Sequence, residues 1–406
     1  MIVKISPSQA FGRVKAPPSK SMAHRLLICG AFSKQSVISG VAFSKDIEAT
    51  LGCLKALGAR INIENDIVTI GGIDINNSPN DNKMFCNESG STLRFLIPLC
   101  LLFGHSFTLG GSQRLMERSL SVYDEICKNQ GITFSQSATS LSLCGKLSAG
   151  KYTVRGDISS QFISGLMFAL PLLQQDSIIE ITGKLESASY LNLTVKALAD
   201  FGVQITRYDE RTFYIKGNQT YKSRKLKVEG DYSNAAFFEA FNLIGGNVAV
   251  SNLSKISAQG DRVYKKMMDE IREGTPTLDI SDCPDLAPVL IASAALKNGA
   301  VFTGTHRLKI KESDRGAAMA EELSKFGCDI TVFENKIVVP KCKMYSPKLP
   351  LSSHNDHRIA MALSVIASVY GGEIYGAQAV SKSFPDYFEK LNSLGIKTEV
   401  ITLNET

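Results

Sequence analysis

The chain of 406 residues reads as an α/β protein of two similar domains, each made of three β-α-β-α-β-β units. The first observation behind this reading is self-similarity. Six times a small or polar cluster opens onto an apolar run, with Ser21, Ser91, Ser160, Ser233, Asp285 and Asp356 marking corresponding points at a nearly constant interval broken by one shorter step. A fixed period of this kind marks a repeated supersecondary unit. The second observation is a recurring helix end, a Gly followed by alternating residues, at Leu57-Gly-Ala-Arg-Ile-Asn-Ile, Asn129-Gln-Gly-Ile-Thr-Phe, Phe201-Gly-Val-Gln-Ile-Thr, Phe326-Gly-Cys-Asp-Ile-Thr-Val and Leu394-Gly-Ile-Lys-Thr-Glu-Val. Gly suits the left-handed residue just past a helix, and the alternation that follows reads as strand. The third is length, too great for one ordinary core.

Within each unit the polar cluster supplies N-cap residues and the apolar run after it predicts a buried helix. Hairpins follow at turn sequences such as Arg207-Tyr-Asp-Glu-Arg-Thr and Phe333-Glu-Asn-Lys. The fourth unit is the exception: only Thr277-Leu-Asp-Ile-Ser separates its helix, ending near Gly274, from Asp285, so its hairpin is missing. The division is placed so that residues 18–226 form the N-terminal domain and residues 1–17 with 227–406 form the C-terminal one. The strand Met1 to Ile5 then completes a C-terminal sheet, and two chain crossings predict a hinge with the ligand site in a cleft.

Composition narrows the class. Hydrophobic residues at 44% and charged residues at 21% describe a globular protein. The longest apolar stretch, Phe95 to Phe103, is interrupted by Pro98 and is too short to span a bilayer. No signal-peptide pattern opens the chain, so the expected compartment is the cytoplasm. Nine scattered cysteines without a Cys-x-x-Cys pair predict reduced thiols and no zinc site. The net charge of +6 is not gathered into a basic tail and comes with no nucleic-acid motif, which leaves a small anionic ligand or a merely basic surface.

Helix N-termini carry free N–H groups and partial positive charge, so six of them in related positions suit anions. Lys20, Ser21 and Arg25 lie in first turns, where the macrodipole opposes cations; a bound anion resolves the conflict, and so does snorkelling to solvent. Ser159-Ser-Gln161 offers two hydroxyls and an amide, as a phosphate cradle or as a plain cap. Glu88-Ser-Gly-Ser-Thr-Leu-Arg94 is similar, with Gly90 permitting close backbone approach. Around Glu312, the stretch Arg307-Leu-Lys-Ile-Lys-Glu-Ser-Asp-Arg315 alternates as a strand edge would, and its cations would hold Glu312 in a setting fit for proton transfer. His354-Asn-Asp-His-Arg358 carries two His three apart; with no third ligand motif it reads as a cap at Asp356, and no metal is expected. Lys382 precedes the last helix, reaching the cleft or simply solvated.

In order along the chain, Pro18-Ser-Lys-Ser, Ser-Gly-Ser-Thr-Leu-Arg94, Arg114-Leu-Met-Glu-Arg118, Gly156-Asp-Ile-Ser-Ser-Gln161, Lys311-Glu-Ser-Asp-Arg315, Asn355-Asp-His-Arg358 and Lys382-Ser-Phe-Pro-Asp-Tyr-Phe resemble the 5-enolpyruvylshikimate-3-phosphate synthase family. The resemblance implies an inside-out α/β barrel in each domain, hinged about a central cleft. It implies transfer of the enolpyruvyl group of phosphoenolpyruvate to the 5-hydroxyl of shikimate 3-phosphate, on the route to chorismate and the aromatic amino acids. Lys20, Ser21, Arg25, Ser159, Ser160, Gln161, Ser187, Asp285, Arg307 and Lys311 would bind shikimate 3-phosphate. Lys20, Gly90, Arg114, Gln161, Arg315, Arg358 and Lys382 would bind phosphoenolpyruvate. Glu312 would act as acid and Asp285 as base, with Lys20 and Lys311 assisting, and no cofactor, nucleic acid or membrane is expected of a monomer. Glu88 stands where the family commonly has Asn, and Arg307 where some members do.

Two alternatives remain at this stage. The sister transferase acting on UDP-N-acetylglucosamine shares the fold but carries a reactive Cys after a Gly-Gly pair, where this chain has Gly110-Gly-Ser-Gln-Arg114. A non-catalytic phosphate-ligand or RNA-binding module would need neither Glu312 nor Asp285.

Overall fold

A computed structural model describes residues 1–401, and they divide into two compact units, Pro18–Glu229 and Met1–Pro17 with residues 230–401. The break falls after Glu229, because the strand Lys225–Lys227 pairs with Ser36–Ser39 and so belongs whole to the first of these units.

In the Pro18–Glu229 unit the helices Lys20–Ala31, Gly90–Cys100 and Ser160–Ala169 are buried on nearly every face. Helices apolar all round belong in a core, and here they lie inside while three four-stranded sheets cover them. Each sheet alternates, as in Lys151–Arg155, where Tyr152 and Val154 are buried and their neighbours exposed. The strand after each buried helix runs parallel to one neighbour and antiparallel to the other, as Ser177–Thr182 does with Lys151–Arg155 and Thr212–Ile215. Lys225–Lys227 takes the parallel place in the first sheet, so the end of the unit returns to its beginning.

The other unit repeats the plan around Tyr232–Leu243, Ala287–Ala295 and His357–Tyr370. Two of its sheets have four strands, and the third is only the pair Phe11–Lys15 and Asn247–Ser251, as the missing hairpin predicts. Ile2–Ser6 sits between Gly372–Tyr375 and Lys397–Ile401, antiparallel to both. The strand Phe11–Lys15 has no counterpart in the sequence reading, since its burial is slight and its apolar signal weak. Among the described residues no sheet closes into a barrel.

One helix contact carries more than packing. Pro98 lies inside the helix Gly90–Cys100 and cannot donate to the carbonyl of Arg94, four residues back. The Tyr123 hydroxyl donates to that carbonyl instead, at 2.8 Å. Gly165 brings the helix Ser160–Ala169 against the same spot: a Cβ there would stand 2.6 Å from the Arg94 carbonyl oxygen.

Two local expectations are corrected. Residues His306–Ile310 form a 3-10 helix rather than a strand edge, so Arg307 turns inward and Lys309 outward. Cys328 and Cys342 form a disulfide instead of remaining reduced, brought together where Tyr345 N–H bonds back to the Phe326 carbonyl. The other seven thiols are free, and six of them are buried.

Candidate active site

In the Pro18–Glu229 unit, Lys20 is the first residue of its helix, capped by Ser19. The unfavourable placement of its charge is offset by Asp46, whose carboxylate lies 2.7 Å from Nζ and itself occupies a favourable first turn of the helix Lys45–Ala56. Arg25 is buried, and each of its three nitrogens has a partner: Nε donates to Thr194 Oγ1 at 2.8 Å, one terminal nitrogen to the Ser21 carbonyl at 2.7 Å and the other to the Tyr190 carbonyl at 3.0 Å. Its guanidinium also lies over the Phe95 ring. Burial draws its pKa down to about 10, which still leaves a cation near neutrality.

Gln161 is clamped between two partners from the neighbouring helix, accepting from Arg94 Nη1 at 2.8 Å and donating to Ser91 Oγ at 2.9 Å. Its orientation is therefore set before any ligand arrives. Ser159 serves as the cap, accepting from the Gln161 N–H, while Ser160 begins the helix and is buried. Ser187 is buried with φ of 56°, a left-handed conformation uncommon outside glycine.

The Arg114 assignment meets a different geometry. Its side chain is 49% exposed, beside Glu117. One turn on, Arg118 lies against Gly90, where an added Cβ would stand 2.6 Å from Nη1. The helix Gln113–Met116 is a single turn, so residues four apart stand on different levels of the chain. Glycine at position 90 is what lets that guanidinium approach the helix start.

In the other unit, the cluster is denser. Arg315, 1% exposed, meets three carboxylates at 2.8 Å each: Asp285 through Nη1, Glu312 through Nη2 and Asp356 through Nε. Asp285 is held in turn by Lys311 at 3.3 Å and Arg358 at 3.0 Å. Arg358 also donates to Ser233 Oγ, and Ser233 donates to Asp231. Asp356 caps its helix through the Arg358 N–H and accepts from Ser313 Oγ. Lys382 Nζ reaches the Asn355 carbonyl at 2.5 Å.

These contacts separate the titrations. Burial alone would raise the pKa of Asp285, but Arg358, Lys311 and Arg315 outweigh it and hold the carboxyl well below its usual range. Lys311 is brought down to about 8, first by burial and then by the nearby cations Arg315 and Arg307, against the pull of Asp285 and Glu312. Asp261 moves the other way, up to about 8, through burial and then the neighbouring Asp285 and Asp231. Three groups within one cluster thus favour different protonation states near neutrality, an arrangement suited to proton transfer.

Sequence reasoning missed several of these partners. Asp261 and Asp231 carry no local motif, and Asp46 lies in an ordinary helix start; only the fold brings them to the cations. Arg94 and Arg118 stand in quoted motifs, but the spacing alone does not say which Arg faces inward.

Comparison with known proteins places the chain in a family. The family model described as EPSP synthase (3-phosphoshikimate 1-carboxyvinyltransferase) matches residues 5–391. Curated relatives named 3-phosphoshikimate 1-carboxyvinyltransferase include that of Clostridium kluyveri, 43% identical, and that of Clostridioides difficile, 41% identical, each alignment covering 97% of both chains. The fold is shared with an EPSP synthase from Acinetobacter baumannii, at a TM-score of 0.80 and 21% identity over 99% of this chain and 100% of that one. The enolpyruvyl transferase NikO from Streptomyces tendae shares it too, at 0.76 and 13% identity over 98% of each. With its sequence matched almost end to end in this way, the chain belongs to the EPSP synthase family, the 3-phosphoshikimate 1-carboxyvinyltransferases.

Proposed function

We propose that Asp285, Glu312, Lys20 and Lys311 carry the enolpyruvyl transfer of this family in the present chain. Phosphoenolpyruvate and shikimate 3-phosphate are the substrates, and 5-enolpyruvylshikimate 3-phosphate and phosphate the products. The observation that carries the reading is the Arg315 cluster, in which one buried guanidinium holds Glu312 and Asp285 at once. An acid and a base are thereby fixed beside cations able to receive the substrates' phosphates and carboxylates.

Glu312 gives its proton to the methylene carbon of phosphoenolpyruvate, and positive charge develops at the neighbouring carbon. Asp285, assisted by Lys311, takes the proton of the 5-hydroxyl as its oxygen bonds to that carbon. The tetrahedral adduct then loses phosphate, which leaves with the proton held by Asp285, while the Glu312 carboxylate takes back a proton from the new methyl group and the double bond is restored. In the free chain Asp285 is a weak base, because three cations hold it ionised. Phosphoenolpyruvate, by drawing Arg315 and Arg358 to its own anionic groups, strengthens that base as it binds.

Lys20, Ser21, Arg25, Ser159, Ser160, Gln161, Ser187, Asp285, Arg307 and Lys311 are assigned to shikimate 3-phosphate. Lys20, Gly90, Gln161, Arg315, Arg358 and Lys382 are assigned to phosphoenolpyruvate, with Arg118 in the place first given to Arg114 because it is the cation that meets Gly90. The chain is read as a cytoplasmic monomer that acts without nucleic acid or membrane, and no described helix is long and apolar enough to cross a bilayer. The test is phosphate release from the purified chain. It is expected only when both substrates are present, and to survive prolonged chelation. Release from phosphoenolpyruvate with UDP-N-acetylglucosamine in place of shikimate 3-phosphate would overturn the reading.

A further inference from the structure

Glu322 lies outside the cluster described above, yet it is a fully buried carboxylate at the far end of the helix Arg315–Ser324, which begins with Arg315. Its oxygens accept from Lys325 Nζ at 2.8 and 3.0 Å, from the Ser352 N–H at 2.9 Å and from His354 Nε2 at 2.8 Å. Glu321, Glu322 and His354 could in principle gather round a cation. Lys325 already spans both oxygens of Glu322, so the cluster is an ion-pair network complete in itself.

What that network holds is unusual. His354 and Asn355 are consecutive residues with φ of 49° and 54°, in the left-handed region that non-glycine residues rarely occupy, and still more rarely in succession. Such a backbone persists only where its surroundings over-determine it. The Ser352 and Ser353 hydroxyls accept from the His354 and Asn355 N–H groups, and the imidazole is tied to a carboxylate that cannot move. The turn so formed presents the Asn355 carbonyl to Lys382 Nζ and delivers Asp356 to Arg315 and to the start of its own helix.

We propose that the His354–Glu322 pair is a pH-sensitive positioning latch for the Asn355–Asp356 turn, which in turn aims Lys382 and Arg315 at phosphoenolpyruvate. The last clause rests on the assignment of those two residues made above. The groups facing His354 are Glu322, Glu321 with a carboxylate oxygen 3.9 Å away, and Lys325, whose charge opposes the other two. Their balance raises the pKa of the imidazole, with the hydrogen bond to Glu322 as the largest cause. A group raised in this way adds stability that is complete at acid pH and is lost as pH rises through the folded value. The latch is therefore tight when His354 is charged and looser when it is neutral, since the charge-assisted bond becomes an ordinary one.

The test compares the full chain with His354→Gln, which keeps a donor toward Glu322 but cannot titrate. His354 is 22% exposed, so the change leaves the core untouched. The opening constant of the Asn355 and Asp356 amides, obtained by dividing the measured hydrogen exchange by its intrinsic base-catalysed rate at each pH and followed across the NMR titration of the His354 ring in the free protein, should rise about fivefold to tenfold in the wild-type chain and stay flat in the variant. The KM for phosphoenolpyruvate should rise in parallel by roughly threefold to tenfold while kcat moves less, and this step too should vanish in His354→Gln. A flat opening constant in the wild-type chain, or a step that persists in the variant, overturns the latch. An exchange step with a flat KM supports the latch and overturns instead the assignment of Lys382 and Arg315 to phosphoenolpyruvate.

Discussion

Replacing Gly165 by Ala should disable the enzyme from within its core. The new Cβ would meet the Tyr123 hydroxyl first and would stand 2.6 Å from the Arg94 carbonyl oxygen, whereas ordinary contact begins at 3.4 Å, so the hydroxyl must be displaced and the two helices must part by about 0.8 Å. Neither wall yields easily, because the Arg94 carbonyl freed by Pro98 is held by the Tyr123 hydroxyl and both are buried. Overpacking of this kind costs about 1–3 kcal/mol, and weakening the Tyr123 bond adds about 1 kcal/mol more. The functional effect follows from the same displacement. Arg94 Nη1 and Gln161 Oε1 are 2.8 Å apart across these helices, and a further 0.8 Å takes them out of hydrogen-bond range. Gln161 would then turn freely, and KM should rise for both substrates. Urea unfolding measures the first effect and steady-state kinetics the second, with Tyr123→Phe as a control that loosens the wall without adding volume. Stability within about 0.5 kcal/mol of wild type and unchanged KM values would show that the helix contact does not set the site.

Other expectations follow from the charged residues. Glu312→Gln should cost roughly 100- to 10,000-fold in turnover, the usual worth of a general acid, while calorimetric affinity for shikimate 3-phosphate stays near wild type; near-normal turnover would assign the acid elsewhere. Ser160→Ala should weaken shikimate 3-phosphate binding by about tenfold, the value of one hydrogen bond to a charged group, and an unchanged Kd would make the residue part of a cap only. Lys311 loses its charge as pH rises through about 8, so kcat/KM should fall on that limb, and Lys311→Arg should abolish the limb even if the rate is lower throughout. Because the folded value lies below that of an unfolded lysine, the unfolded chain keeps a proton above pH 8 that the folded chain has released, and this residue adds stability as pH rises further. Retention of the limb in Lys311→Arg would assign it to another group.

Helix starts are legible here because capping is local. Ser19, Ser89, Ser159 and Asp356, each within a cluster read as a helix start, accept a backbone N–H within their own first turn, so residue type and position suffice to find them. The glycine helix ends are local in the same way, and Gly202 and Gly327 have φ of 81° and 82°. Pairings across the chain are not local. Phe11–Lys15 joins Asn247–Ser251 from the opposite side of the sequence, and the Cys328–Cys342 bond depends on a turn rather than on spacing. The site divides along the same line. Lys311, Glu312 and Arg315 come together within one short stretch, whereas Asp261, Asp285, Arg358 and Asp356 meet them only through packing of three buried helices. The choice between Arg114 and Arg118 is hidden for a related reason, because a one-turn helix gives no periodicity from which to make it.

The cations in these motifs pose a physical problem that the structure answers twice. Lys20, Arg315 and Arg358 all lie in first helical turns, against the macrodipole, and each is offset by a carboxylate rather than by solvent. Arg25, a turn deeper, is met by carbonyls and a hydroxyl, which lower the cost of burial without cancelling its charge. The two answers have different consequences. A cation held by carbonyls remains available to an anion, while one held by a carboxylate must exchange partners to receive it. That exchange leaves the carboxylate less neutralised and hence more basic. In the Arg315 cluster the carboxylates released are Asp285 and Glu312, the two groups assigned to move protons. On the roles proposed above, ion pairing in the free chain keeps these two carboxylates neutralised, and an anionic substrate that draws Arg315 away would free them for proton transfer.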